Sequence, residues 1–395
     1  MKNFEGDMRR IIACMLALAF VSSLAPMADA QQRRPYPQRG AQYPQSAAQR
    51  GGHYAPRVAS RPRTPGDRGP AVALPKEKDV VKQEITGTVI SQVVLGGLKR
   101  PTAVAIQPKS GELFIAEAGA GRIGRLNDVP GSYDILSVID GFSADGDSEN
   151  SGLQNIAFAD KYTLIVATGE ADGQSAVQVY RIPPAGSIEA GDLRSVLDVA
   201  PEGQPLAARS LALAWIDDKL FLAGRGASRG FLTDIQWNDD GQNACHLLTK
   251  RPGEVNSPTA MTQGPRGELL VANMGGIGDQ TDSTLLIFDI PSSEARASVA
   301  VGLRDLVAVA LSPRTRLLYG LERTGGGSQP GGLYRLDIKE DEGELICVPA
   351  RLMTLNQPTA MAFAPDGTLF IVTDASHAAD HEGGLLVRIY NESQL

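Results

Sequence analysis

From about residue 100 onward, short apolar runs recur along the chain, each followed by a turn signal and a second apolar run. Pro101-Thr102-Ala103-Val104-Ala105-Ile106 returns as Pro258-Thr259-Ala260-Met261-Thr262-Gln263 and again as Pro358-Thr359-Ala360-Met361-Ala362-Phe363. Weaker copies lie at 155–158, 211–215 and 307–311. Aligned on Val104, Ile156, Leu213, Met261, Val309 and Met361, the copies are spaced by 52, 57, 48, 48 and 52 residues. Each interval has room for four short strands. The first unit predicts them at 102–107, 112–116, 122–126 and 133–139, separated by Lys109-Ser110-Gly111, Gly119-Ala120-Gly121 and Pro130-Gly131. Four-strand units at this period predict an all-β protein, a six-bladed β-propeller spanning 79–395.

Two further patterns sharpen that expectation. One residue after each anchor stands Ala105, Ala157, Ala214, Thr262, Ala310 or Ala362; the next is Ile106, Phe158, Trp215, Gln263, Leu311 or Phe363. Strand side chains alternate faces, so each blade offers bulk to one neighbour and a gap to the other. Gln263 breaks the series and is either hydrogen-bonded or shifted by one residue. The last unit ends at its third strand, 385–390, while a spare strand at 85–95 precedes the first unit and leads into it through Gly96-Gly97. The spare strand is expected to complete the last blade and close the ring, leaving no free edge. Cys245 and Cys347 then fall on the outer strands of blades three and five, too far apart for the roughly 7 Å limit of a disulfide. Two separate, buried thiols are expected.

Composition alters the picture at the N-terminus. Arg9 and Arg10 precede an apolar stretch at 11–21, and Ala28-Asp29-Ala30 follows. This reads as a cleavable signal peptide, 1–30, and predicts a periplasmic or secreted protein. No later segment is apolar enough to span a membrane. Residues 31–78 are rich in Gln, Arg, Pro and Gly and poor in large aliphatics, which reads as a disordered basic linker. Residues 31–79 carry 10 Lys/Arg against 3 Asp/Glu, net +7; residues 80–395 carry 25 against 39, net −14. The whole-chain −7 therefore conceals a basic arm on an acidic body. The arm suits a solvated spacer or an anionic envelope surface; export argues against nucleic acid.

The string Gly111-Glu112-Leu113-Phe114-Ile115-Ala116-Glu117-Ala118-Gly119, followed by Arg122-Ile123, resembles the NHL-repeat phrase. Pro365-Asp366-Gly367-Thr368-Leu369-Phe370-Ile371 resembles the same phrase and also the gluconolactonase/regucalcin propellers. The resemblance implies the architecture of residues 80–395 and leaves activity open, since such propellers host enzymes and binding platforms alike. Gluconolactonase-like enzymes hold an axial divalent cation through Glu, Asn and Asp, with the Glu near the start of the first blade. Here that stretch reads Gly96-Gly97-Leu98-Lys99-Arg100, without an acid; Asn273 and Asp374 alone match. Quinoprotein sugar dehydrogenases require a catalytic His, and blades one and two contain none. The Tyr and Trp spacing of kelch blades is also missing.

Loops joining second to third strands, and loops leading into each blade, share one face of a propeller. The first set starts at Glu117, Glu170, Arg225, Asn273, Glu322 and Asp374; the second adds Arg100, Arg209, Asn256, Asp305 and Gln357. These make a polar mouth, or they cap strand ends. The stretch 374–382 adds His377 and His381 among three acids, a solvated loop or a transition-metal site. The acidic segment 145–150 lacks an EF-hand ligand pattern. Gly226-Ala227-Ser228-Arg229-Gly230 matches the nucleophile-elbow letters without the helix that motif needs. No catalytic set is complete. The expected function is a non-enzymatic platform holding a protein, glycan or small-molecule ligand on its loop face. A lactonase-like hydrolase using Glu117, Glu170, Asn273, Glu322 and Asp374 around a divalent cation is the alternative, and a structural envelope protein is a third.

Overall fold

The structure, a computed structural model, describes residues 89–395 apart from 130–131, 145–151, 170–174, 198–208, 227–229, 238–242, 250–254, 276–280, 325–329, 375–382 and 391–395. The expected signal peptide and basic linker, the acidic segment 145–150, Glu170 and the His377 loop all lie outside the described residues, as does most of the Gly226–Gly230 turn.

The first repeat unit forms blade 1, with Pro101–Ile106 innermost, then Leu113–Glu117, Arg122–Val129 and Ser132–Asp140. Blade 2 follows as Gly152–Phe158, Thr163–Gly169, Ser175–Arg181 and Ser195–Leu197. Blade 3 comprises Arg209–Ile216, Lys219–Arg225, Gly230–Trp237 and Asn243–Leu247. Blade 4 comprises Pro258–Gln263, Leu269–Asn273, Thr284–Asp289 and Glu294–Ala300. Blade 5 comprises Leu306–Leu311, Leu318–Thr324, Pro330–Asp341 and Glu344–Leu355. Blade 6 contributes Pro358–Phe363, Leu369–Thr373 and Gly384–Ile389. Its fourth strand is Ser91–Leu98, antiparallel to Gly384–Ile389 with Ser91 opposite Ile389 and Val93 opposite Val387. The ring therefore closes as expected. Gly96 and Gly97 belong to the closing strand itself, where the register is irregular and Gly97 has a φ of 81°. Among the described residues there is no α-helix, and none long and apolar enough to cross a membrane. Blade 1 carries one unforeseen addition: Ile188–Glu189, from the link between the last two strands of blade 2, runs parallel to its outer strand.

The alternation of small and large residues explains how blades stack. Ala105 of blade 1 shares a core with Phe158 of blade 2, where Phe114 and Phe158 meet edge to face at 5.0 Å. Ala157 shares one with Leu213 and Trp215 of blade 3. Ala310 shares a core with Phe363 of blade 6, and Ala362 with Ile106 of blade 1. In each case the small side chain looks forward and the next, larger one looks back. Gln263, the odd member, is resolved by a bond: its Nε2 donates to Asp217 Oδ2 of blade 3 at 3.4 Å.

The Pro-Thr-Ala repeats have their own purpose. Thr102 Oγ1 donates to Leu153 O at 3.0 Å, Thr259 Oγ1 to Leu306 O at 2.7 Å, and Thr359 Oγ1 to Pro101 O at 2.8 Å. Each threonine thus staples its inner strand to the first residues of the next, and the third staple crosses the closure seam. On the opposite rim, Gln107 Nε2 donates to Lys161 O at 2.5 Å and Arg314 Nη1 to Asp366 O at 3.0 Å, again between neighbouring blades. At the seam, Arg388 of blade 6 pairs with Asp128 of blade 1 at 3.2 Å. Its guanidinium lies 5.3, 5.5 and 5.1 Å from the rings of Tyr133, Phe370 and Tyr390.

Cys245 and Cys347 are both thiols on the outer strands of blades 3 and 5. Cys347 is buried, and burial, with the Asp337 carboxylate nearby, pushes its thiol up to about 12. Cys245 is only half-buried, contrary to expectation: it packs against the margin of the core shared by blades 2 and 3, whereas Cys347 lies within the core shared by blades 4 and 5.

Enlarging a forward-looking residue should crowd the adjacent blade. Ala157→Leu is expected to cost about 1–3 kcal/mol in urea unfolding; an unchanged midpoint would place Ala157 outside the blade interface. Thr359→Val keeps the shape and removes one staple. It should cost about 0.5–1.5 kcal/mol, and no loss of stability would mean the Pro101 carbonyl finds another partner.

Candidate functional site

The mouth is built on a repeated backbone device. In blades 1, 4, 5 and 6, the residue just after the second strand, or close to its end, donates its N–H to the turn leading into the same blade. Ala118 donates to Arg100 O at 3.0 Å, Met274 to Ser257 O at 2.8 Å, Arg323 to Asp305 O at 3.0 Å and Asp374 to Gln357 O at 2.8 Å. Two of those turns need a left-handed residue, Arg100 and Gln357, each with φ 45°.

Three candidate site residues reinforce this device with their side chains. Glu117 is fully buried; its Oε1 accepts from Lys99 N at 2.9 Å and its Oε2 from Arg122 Nε at 2.7 Å. Asn273 is 3% exposed; its Oδ1 accepts from Asn256 N at 3.2 Å and its Nδ2 donates to Thr284 Oγ1 at 3.4 Å. Glu322 is 5% exposed; its Oε1 accepts from Arg304 N at 3.1 Å and its Oε2 from Tyr334 OH at 2.7 Å. Burial, and after it the Glu322 carboxylate, hold the Tyr334 phenol well above its usual range. A buried carboxylate is tolerated where donors surround it. Glu117 and Glu322 have theirs from backbone and neighbouring side chains.

Strand register places the equivalent rungs of blades 2, 3 and 6 one or two residues before the link residues Glu170, Arg225 and Asp374. The rung opposite the start of the inner strand is Glu117, Thr168, Asn273, Glu322 and Thr373 in blades 1, 2, 4, 5 and 6. In blade 3 the equivalent position is Gly224, between Ala223 and the Arg225 that pairs with Arg209. Arg225 and Asp374 therefore lie beyond that rung. Arg225 is exposed, and Asp374 is 6% exposed. Arg100 is half-buried in its turn. Asp305 accepts from Thr324 Oγ1 through its carboxylate. Arg209 starts the inner strand of blade 3. Sequence reasoning named the first residues of the links, and so missed Thr168 and Thr373, which lie one or two residues earlier, inside the strands Thr163–Gly169 and Leu369–Thr373. Among the described residues no group of three or more His, Cys, Asp or Glu side chains is arranged to hold a metal ion. His246, the described histidine, sits on an outer strand and pairs with Asp234 at 3.1 Å.

No protein-family model matches the chain, and no curated protein matches it. Solved structures do share its fold. A putative oxidoreductase (glucose dehydrogenase) from Thermus thermophilus is 17% identical over 76% of this chain and 100% of its own, with a TM-score of 0.52. The PQQ-bound aldose sugar dehydrogenase of Streptomyces coelicolor is 13% identical over 76% and 98%, with a TM-score of 0.53. A putative gluconolactonase is 13% identical over 78% and 94%, with a TM-score of 0.49. The chain is a six-bladed β-propeller whose structural neighbours include sugar dehydrogenase and gluconolactonase-like propellers.

Glu322→Gln should retain the contact to Arg304 and lose the charge beside Tyr334. The Tyr334 phenol is then expected to titrate lower, closer to its ordinary range, in an ultraviolet tyrosinate titration. An unchanged curve would mean burial alone holds the phenol up.

Proposed function

We propose that this protein is an exported, non-catalytic binding platform that engages a protein, glycan or small ligand on the loop face of the propeller. One observation carries the reading. Glu117, Asn273 and Glu322, the side chains best placed to serve as axial ligands or acid–base groups, have both of their polar atoms engaged in holding the lead-in turns and neighbouring strands. They shape the mouth and leave its loops to make contact. The leader at 1–30 would deliver the protein to the periplasm or exterior, and the arm at 31–78, with its positive charge, would rest against an anionic envelope surface.

A second reading is a lactonase-like hydrolase, drawn from the resemblance of the phrase at 365–371, or another sugar-directed enzyme, drawn from the names of two solved propellers. At 13–17% identity that likeness is one of fold. Metal content and turnover separate the two readings. Mature protein incubated with calcium or zinc and then desalted is expected to hold no stoichiometric ion and to leave δ-gluconolactone at its spontaneous hydrolysis rate. A stoichiometric ion lost in Asp374→Ala, together with accelerated lactone hydrolysis, would overturn the platform reading. Deleting residues 31–78 is expected to release the protein from the envelope fraction without altering its melting temperature; unchanged retention would dismiss the arm as an anchor.

A further inference from the structure

The six equivalent rungs at the mouth are not alike. Blades 1, 4 and 5 place a long acceptor there, and each reaches the lead-in backbone N–H of its own blade. Blades 2 and 6 place a threonine there. Thr168 is 5% exposed and Thr373 is 3% exposed, and neither hydroxyl has a hydrogen-bond partner among the described residues. The side-chain oxygen Oε1 of Gln357, in the lead-in turn of blade 6, is likewise buried and unpartnered among them. Gln357 is adjacent to Pro358, whose strand partner is Thr373, so two of these atoms belong to one end of one strand pair. Blades 2 and 6 both adjoin blade 1 in the ring.

Buried polar groups in folded proteins nearly always find partners, and an orphan calls for an explanation. Elsewhere in this mouth the rule is obeyed closely, since Glu117, Asn273 and Glu322 are satisfied at both atoms. Threonine is too short to do what Glu or Asn does on the same rung. Its hydroxyl is left buried without a partner among the described residues, so a partner would have to penetrate the mouth to meet it. The chemistry of the three atoms limits what that is. All are uncharged oxygens. The hydroxyls both donate and accept, and the amide oxygen accepts. A hydroxyl group meets all three needs, is small enough to reach atoms this deeply placed, and brings no charge to be desolvated.

We infer that the mouth of the propeller takes a neutral, hydroxyl-bearing ligand, with Thr373 and Gln357 of blade 6 as one contact point and Thr168 of blade 2 as another. The inference rests on the binding-platform reading and gives it a location and a ligand class.

The test uses full-length mature protein with labelled threonine methyl groups. The probes are glycerol and glucose, set against calcium, ammonium and phosphate salts at matched concentration. Saturable shifts of the Thr168 and Thr373 methyl signals with glycerol or glucose are expected, with little response to the salts. Thr373→Val, which preserves shape, should weaken the response at Thr168 by no more than about twofold and remove any saturable response of the neighbouring Thr359 methyl. In Thr168→Val the Thr373 response should persist. Response to the ions alone would overturn the inference in favour of an ionic ligand, and response to none of the probes would overturn it in favour of water as the partner of these atoms. Lactone turnover with intact polyol binding would instead remove the platform reading and leave this assignment standing.

Discussion

A ring of sheets holds together only if its first and last segments meet, and here they meet through one strand pair. Ser91–Leu98 lies against Gly384–Ile389, so the final blade is made from both ends of the propeller. Without that pairing the third strand of blade 6 would present an open edge, and the core between blades 6 and 1 would lose Val94 and Leu98. The seam carries more fastening than the strand ladder. Thr359 reaches the Pro101 carbonyl near the axis, and Arg388 reaches Asp128 at the periphery while lying against three aromatic rings. Bonds of these kinds are individually small. Their placement at inner and outer radii of one interface is what resists opening.

The remaining interfaces repeat a simpler principle. Inner strands supply a small side chain forward and a large one backward, so each boundary is filled from one side. The scheme needs few aromatics, which agrees with an aromatic content of 5%. Close packing of this sort leaves little tolerance for change in volume. The same inner strands carry the staples and the lead-in turns, so packing, closure and the shape of the mouth are coupled along a single segment of each blade.

Much of this was legible in the sequence. Fixed spacing revealed the six blades, and the missing fourth strand of the last unit revealed the closure. Alternation of Ala with a bulky neighbour revealed the interfaces, and Gln263 stood out as the exception that its bond to Asp217 explains. The site was less legible for a physical reason. Each inner strand slips register between its first residue and its anchor, as between Pro101 and Ala103 or Pro358 and Ala360. That slip is common to all six blades; the starts of the links at Asp374 and Arg225 were legible, whereas the residues facing the first rung, Thr373 and Gly224, were not. Nor does spacing reveal that Glu117 and Glu322 are wrapped by donors. A carboxylate in that setting supports a loop, whereas the same letter in solvent would suggest a ligand. The strand Ile188–Glu189 on the edge of blade 1 left no periodic signal, being only two residues long.

Hydrogen exchange at the seam is the most direct test of closure by the leading strand. In the intact protein, amides of Gly384–Ile389 should be protected to the same degree as those of the inner strands. In a variant beginning at Lys99, those amides should exchange first and fastest while blades 2 to 5 retain protection. Equal protection of Gly384–Ile389 in both proteins would show that the ring is held by something other than this strand pair.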